Sequence, residues 1–117
     1  MLTATFNQYD EIRYLKLLVK GHAGADVIGR DLVCASASTL LYTLAQTVAE
    51  MEERGELISS PIIVTEAEGD ALITCQCNSD KSYADAVSAF NVIRTGFNLL
   101  AHNYPQYVEL NTVGSAE

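Results

Sequence analysis

Basic residues and long apolar runs are scarce in this sequence. Its 117 residues hold 7 Lys and Arg against 15 Asp and Glu, which gives a formal charge of −8. Nucleic-acid binding requires Lys and Arg to neutralise phosphates, so we expect no direct nucleic-acid partner and favour basic peptides or proteins. The acidity is equally consistent with a surface that only maintains solubility. The apolar runs are too short for a bilayer span and the start lacks the features of a secretory signal, so we expect no membrane partner.

Cysteine and histidine are also rare, with three and two copies. Secreted scaffolds normally pair their cysteines, so the odd number favours reduced thiols in the cytoplasm. Structural zinc takes four ligands, commonly from C-x-x-C pairs, whereas Cys75 and Cys77 are separated by one residue. We therefore expect no metal and no cofactor, and we interpret Cys75 and Cys77 as small packing residues.

The residues that are present predict one folded domain over residues 1–117. Apolar residues make up 49% of the chain, more than in disordered proteins, and the length suits a single core. Alternating and helical apolar patterns predict strands at 2–8, 13–20, 62–65, 72–77 and 107–110, a turn at 68–70, and helices at 31–55 and from about 82 to 105. The order ββαββαβ predicts an α+β fold with a mainly antiparallel sheet and two long helices.

The stretch from Gly21 to Ser38 is the most informative for chemistry. It places His22 at the end of a predicted strand, then a glycine-rich loop, then Cys34 in the first turn of a predicted helix. Unpaired N–H groups and the macrodipole at a helix start favour a thiolate, and they could also bind an oxyanion. A nearby imidazolium would favour the thiolate further and could protonate a leaving amine. On spacing alone, an ordinary buried cysteine is the alternative.

Two further polar residues flank Cys34. Asp31 is interpreted either as the helix N-cap, a contribution of about 1 kcal/mol, or as a third site member that orients His22. Ser38 lies one helical turn after Cys34, where it could hydrogen-bond near the thiol or bond back to its own helix.

These residues resemble the ribosomal-processing cysteine proteases of the Prp family. The family pattern is G-H-A, a short glycine-containing loop, G-x-D-[IL]-V-C-A and a nearby S. It stands here as Gly21-His22-Ala23, Gly29-Arg30-Asp31-Leu32-Val33-Cys34-Ala35 and Ser38. The resemblance implies a cytoplasmic homodimer that removes a short N-terminal extension from a large-subunit ribosomal protein, the twenty-seventh in the standard series, by cutting after an aromatic residue. Related members are thought to trim phage structural proteins.

The resemblance also implies roles for individual residues. Cys34 would be the nucleophile, His22 the general base and acid, and Asp31 and Ser38 accessory residues. The mobile substrate loop would consist of Ala23, Gly24, Ala25, Asp26, Val27, Ile28, Gly29 and Arg30. A non-catalytic ribosome- or assembly-associated binding module, in which this pair is vestigial, is the alternative. Redox sensing at Cys34 is a third hypothesis, weakened by the lack of a resolving cysteine nearby in the sequence.

Overall fold

The computed structural model of the protein describes residues 1–21, 28–65 and 70–114. Within these ranges the strands and helices follow the order ββαββαβ, which confirms the predicted α+β class. A short 3-10 turn at Asp10–Ile12 joins the first two strands. The elements are β1 (Leu2–Tyr9), β2 (Tyr14–Lys20), α1 (Ile28–Glu53), β3 (Ile63–Thr65), β4 (Ala71–Gln76), α2 (Asp80–Asn103) and β5 (Val108–Gly114).

The five strands form one mixed sheet in the order β3-β4-β2-β1-β5. The β1–β2, β2–β4 and β3–β4 pairs are antiparallel, whereas β5 runs parallel to β1. The parallel pair arises because α2 carries the chain back along the sheet, so that β5 starts beside the first residue of β1. The turn predicted at residues 68–70 lies largely outside the described residues, but the antiparallel pairing of β3 with β4 is as predicted.

Both helices cover the same face of the sheet. Alternate side chains of β1, β2 and β4 are buried there, and they form one cluster with the apolar stripes of α1 and α2. Phe97 of α2 and Phe6 of β1 meet edge to face in this cluster, with ring centroids 6.0 Å apart. The helical members are Val33, Ala37, Leu41, Leu44, Val48 and Met51 from α1, and Ala86, Phe90, Ile93, Phe97 and Leu100 from α2.

The helix ends correct part of the sequence interpretation. Helix α1 begins at Ile28, so Asp31 lies inside it and is not the N-cap that the sequence predicted. Its other end is as predicted: Gly55 has φ 72°, its N–H donates to the Glu52 carbonyl, and that of Glu56 donates to Met51. Helix α2 begins at Asp80, slightly before the predicted residue 82, because the Ser79 hydroxyl caps it by accepting from the Ser82 N–H at 3.1 Å.

Helix α1 also departs from the expectation that no segment could span a bilayer. Its residues Leu32–Glu53 are long and apolar enough to cross a membrane by length and composition, with a mean hydropathy of 1.4. The apolar runs are short, but Ala, Leu and Val recur throughout the helix and raise the average. Val33, Leu44 and Val48 of this helix are fully buried against the sheet. Packing against the sheet therefore accounts for the apolar residues of this stripe.

Candidate active site

Cys34 lies deeper in its helix than the sequence predicted. It is the seventh residue of α1, which places it in the second turn and not in the first. The N–H groups that lack a partner within a helix are the first four, so the Cys34 N–H is not one of them. The macrodipole also acts mainly within the first turn, so Cys34 lies beyond the part of the helix where its effect is strongest.

The three thiols differ sharply in their surroundings. Cys34 is half-buried, whereas Cys75 and Cys77 are only 0% and 1% exposed, with their sulfur atoms 3.8 Å apart. Burial raises the pKa of both the Cys75 and the Cys77 thiols, so these two remain protonated and unreactive near neutral pH. This agrees with their interpretation as packing residues. Cys34 is therefore the accessible thiol of the protein.

This difference gives a testable result for the folded protein. We expect iodoacetamide to modify Cys34 alone in native buffer, and all three thiols once the chain is unfolded in guanidinium chloride. Iodoacetamide reacts only with a thiolate that it can reach. Burial keeps the Cys75 and Cys77 thiols protonated and also blocks access of the reagent. Intact-mass spectrometry counts the adducts in each condition. Rapid modification of two or three thiols in the native protein would contradict the described burial.

Cys34 lies on the side of α1 that is turned away from α2. On the other flank, Leu40 contacts α2 so closely that a Cβ on Gly96 would lie 2.6 Å from the Leu40 side chain. Cys34 is rotated about 120° from Leu40 around the helix axis, with the buried stripe between them. Since α1 packs over β3 and β4, and α2 over β2 and β5, the Cys34 flank faces the β3 edge of the sheet.

The end of the sheet near Cys34 is fixed by a glycine and a carboxylate. The N–H of Gly21, the residue after β2, donates to Asp70 Oδ1 at 3.2 Å, just before β4. Gly21 has φ 87°, and a Cβ on it would lie 2.3 Å from the Met1 carbonyl oxygen, so only glycine fits. Helix α1 ends at the opposite end of β4, where the Asn78 side chain donates to the Gly55 carbonyl, so its first half lies at the Gly21 end.

Helix α1 carries two of the other predicted site residues, Ser38 and Asp31. Ser38 is half-buried, one turn after Cys34 on the same flank of α1. Asp31 lies in the α1 backbone, and its side chain lies outside the described residues. The predicted loop Ala23–Arg30 extends too far toward Cys34, because residues 28–30 already belong to helix α1. His22 and residues 23–27 lie outside the described residues, so the pairing of His22 with Cys34 stays a prediction.

Asp70 is a residue that the sequence interpretation missed at this end of the sheet. It is separated from Gly21 by 49 positions, and no local pattern marks a hydrogen bond between residues so far apart. Among the described residues, no group of three or more His, Cys, Asp or Glu side chains is placed to hold a metal ion.

The described residues place one accessible thiol, Cys34, on a helix that packs over a mixed sheet, and comparison with known proteins shows which class of protein this is. The sequence model of the family described as cysteine protease Prp matches residues 1–109. The protein is thus a cysteine protease. It belongs to the Prp family, as its sequence motif suggested.

Several solved structures share the fold of this chain. SMU.848 from Streptococcus mutans is 28% identical, with 98% of this chain and 96% of that chain covered and a TM-score of 0.71. The ribosomal processing protease Prp from S. aureus, in complex with a substrate peptide, is 20% identical, with 96% and 99% covered and a TM-score of 0.69. The same S. aureus protein with a covalently linked product peptide is 23% identical, with the same coverage and a TM-score of 0.66. No curated protein matches the chain.

Proposed function

We propose that the protein is a cysteine endopeptidase that removes the N-terminal extension of a large-subunit ribosomal protein, the twenty-seventh in the standard series. Cys34 is the nucleophile and His22 the general base and acid. The observation that carries this proposal is the half-buried Cys34, the accessible thiol, within the family motif. The S. aureus relative supports the substrate class, since it is a ribosomal processing protease that binds a substrate peptide and forms a covalent link to a product peptide.

The proposed reaction follows the course of thiol proteases. The Cys34 sulfur attacks the scissile carbonyl after its proton passes to His22, and a tetrahedral oxyanion forms. His22 then protonates the amine as the C–N bond breaks, leaving a thioester between Cys34 and the extension. Water attacks this thioester, giving its proton to His22, and the free carboxylic acid departs as the thiol is restored. Because the Cys34 N–H lies within the helix, we assign the oxyanion to other donors.

The proposed roles of the remaining residues are more limited. Ser38 lies on the Cys34 flank of α1 and is assigned a hydrogen bond beside the thiol. Asp31 is assigned as an accessory residue of the same helix that tunes the charge near Cys34. Residues 23–30 are assigned to substrate binding. The resemblance further supports a cytoplasmic homodimer, which analytical ultracentrifugation of the purified protein would test.

The acidic surface supports a basic substrate. The formal charge of −8 attracts a basic N-terminal extension and raises its local concentration near the protein. The same charge would attract other basic proteins, including phage structural proteins. The choice between these substrates is therefore made by the sequence around the scissile bond, and a direct cleavage assay is needed.

The experiment that tests this function is incubation of the purified protein with a peptide that spans the ribosomal extension. We expect one cut, after an aromatic residue, identified by mass spectrometry of the products. A matched peptide with alanine in place of that aromatic residue is the control and should be cleaved far more slowly. No cut, with Cys34 still alkylated rapidly below pH 8, would reject the ribosomal substrate and direct the assay to phage proteins. No cut and an unreactive thiol would reject the protease function.

A further inference from the structure

We infer that the outer edge of β3 binds the substrate by strand addition, and that the residues on the amino side of the scissile bond pair with Ile63 and Thr65. This inference rests on the proposed function and names the surface that holds the extension in place. Three features of the described residues carry it: the backbone groups of β3, the apolar side chains beside them, and the position of this edge relative to Cys34.

The backbone of β3 presents unused hydrogen-bonding groups. Its inner side is occupied, since the Thr74 N–H donates to the Ile62 carbonyl at 2.9 Å and Val64 stands opposite Leu72 in the same register. In an antiparallel pair the N–H and C=O of successive residues alternate between the two sides of the strand. The groups of Ile63 and Thr65 therefore point away from β4. Among the described residues, no strand pairs with β3 on that side.

The side chains beside this edge are unusually apolar for a protein surface. Ile58, Ile62, Ile63 and Val64 are 63%, 50%, 36% and 41% exposed. Ile63 pairs with Ile73, which is fully buried, so the Ile63 side chain lies on the face of the sheet that the helices cover. Its exposure shows that α1 leaves this edge open. Proteins usually protect such an edge with charges, proline or a short strand. Here β3 is short and Pro61 precedes it, but Ile63 to Thr65 carry neither a charge nor a proline, so this part of the edge can accept a strand partner.

The position of the edge favours the substrate as that partner. Thr65 stands opposite Ala71, so β3 ends where β2 ends, at Gly21. The first half of α1 lies at the same end, and its Cys34 flank faces this edge. A peptide that follows β3 past Thr65 thus approaches Cys34. Because the extension precedes the scissile bond, it would run in the same direction as β3.

The charge of the segment around β3 indicates which kind of peptide the edge can bind. Between Arg54 and Lys81 the sequence has five acidic residues and no basic one, and this segment contains β3 and β4. Asp70, just before β4, is exposed at the end of the sheet that the peptide would reach. The edge is therefore suited to an extended peptide with apolar and basic side chains, and the peptide–edge interaction should weaken as salt concentration rises.

The first test removes the outward N–H of Thr65 with the substitution Thr65→Pro. Proline is tolerated at edge-strand positions whose N–H is not paired within the sheet. We expect KM for the ribosomal peptide to rise about tenfold, with kcat nearly unchanged, because one peptide–edge hydrogen bond is lost before the chemical step.

The matched control for this variant is Thr112→Pro on the opposite edge strand. The Leu2 N–H donates to the Tyr107 carbonyl, and the alternation along β5 then directs the Thr112 N–H away from β1. Thr112→Pro should leave KM unchanged. Equal KM values for both variants and the wild type would overturn the inference. So would dissociation of a dimer by Thr65→Pro without a change in KM, since the edge would then bind a second copy of the chain.

The second test uses the wild-type protein and does not depend on how the variant folds. Each residue on the amino side of the cut is N-methylated in turn, which removes one peptide N–H donor at a time. Strand addition predicts losses of kcat/KM at alternate positions, because only every second residue faces β3. A uniform response along the peptide would overturn the inference while leaving the protease function intact. No cleavage of the unmodified peptide would instead reject the proposed function, and this inference with it.

Discussion

Replacing Cys34 with alanine is expected to lower kcat/KM for the ribosomal peptide by at least about a thousandfold, because the attacking sulfur is removed and no other thiol can replace it. Cys75 and Cys77 are buried in the core and kept protonated there. Cys34 is only half-buried, and alanine is a good helix former, so the variant should unfold near the wild-type temperature. Steady-state cleavage and thermal unfolding, measured on the same preparation, check both parts.

The matched control is Cys75→Ala, which removes a cysteine without removing the proposed nucleophile. Cys75→Ala removes a fully buried sulfur, so it should lower the free energy of unfolding by about 1 kcal/mol, while cleavage below the unfolding temperature is retained. The reverse pattern, with cleavage retained in Cys34→Ala, would eliminate Cys34 as the nucleophile.

His22→Ala should also slow both cleavage and the alkylation of Cys34. A normal alkylation rate in that variant would show that the imidazole does not activate the thiol.

The largest effect on stability is expected for Phe97→Ala. Phe97 is the largest fully buried side chain among the described residues, and its ring meets that of Phe6 edge to face. Truncation to alanine removes apolar burial, the aromatic contact and the contacts around the resulting cavity, which together cost about 3–5 kcal/mol. For a domain of this size the unfolding temperature should fall by roughly 10–20 °C. Differential scanning calorimetry measures this shift.

The control for the Phe97 variant lies on the same helix. Val92 is 70% exposed, so Val92→Ala should change the free energy of unfolding by no more than about 0.5 kcal/mol. Comparable losses in the two variants would show that burial does not set the contribution of Phe97 to stability. A small loss in Phe97→Ala alone would show that neighbouring side chains close the cavity.

The candidate site was predictable where its signals are local. The motif around His22 and Cys34 is contiguous in the sequence, and glycine before His22 is required at a backbone φ that other residues rarely adopt. The start of α1 was less predictable, because an Asp is a good N-cap only if the preceding residues are not helical. Here Ile28 already begins the helix, which shifts Cys34 from the first turn to the second.

The sequence by itself determined the α+β class, the order ββαββαβ and the end of α1 at Gly55. These follow from apolar periodicity and from residues with special backbone requirements, which act over a few positions. Only the tertiary structure decided the strand order, the parallel β1–β5 pair, the Gly21–Asp70 hydrogen bond and the open β3 edge beside the Cys34 flank of α1. Each of these depends on packing between segments distant in the chain, and no local pattern encodes which segments will meet.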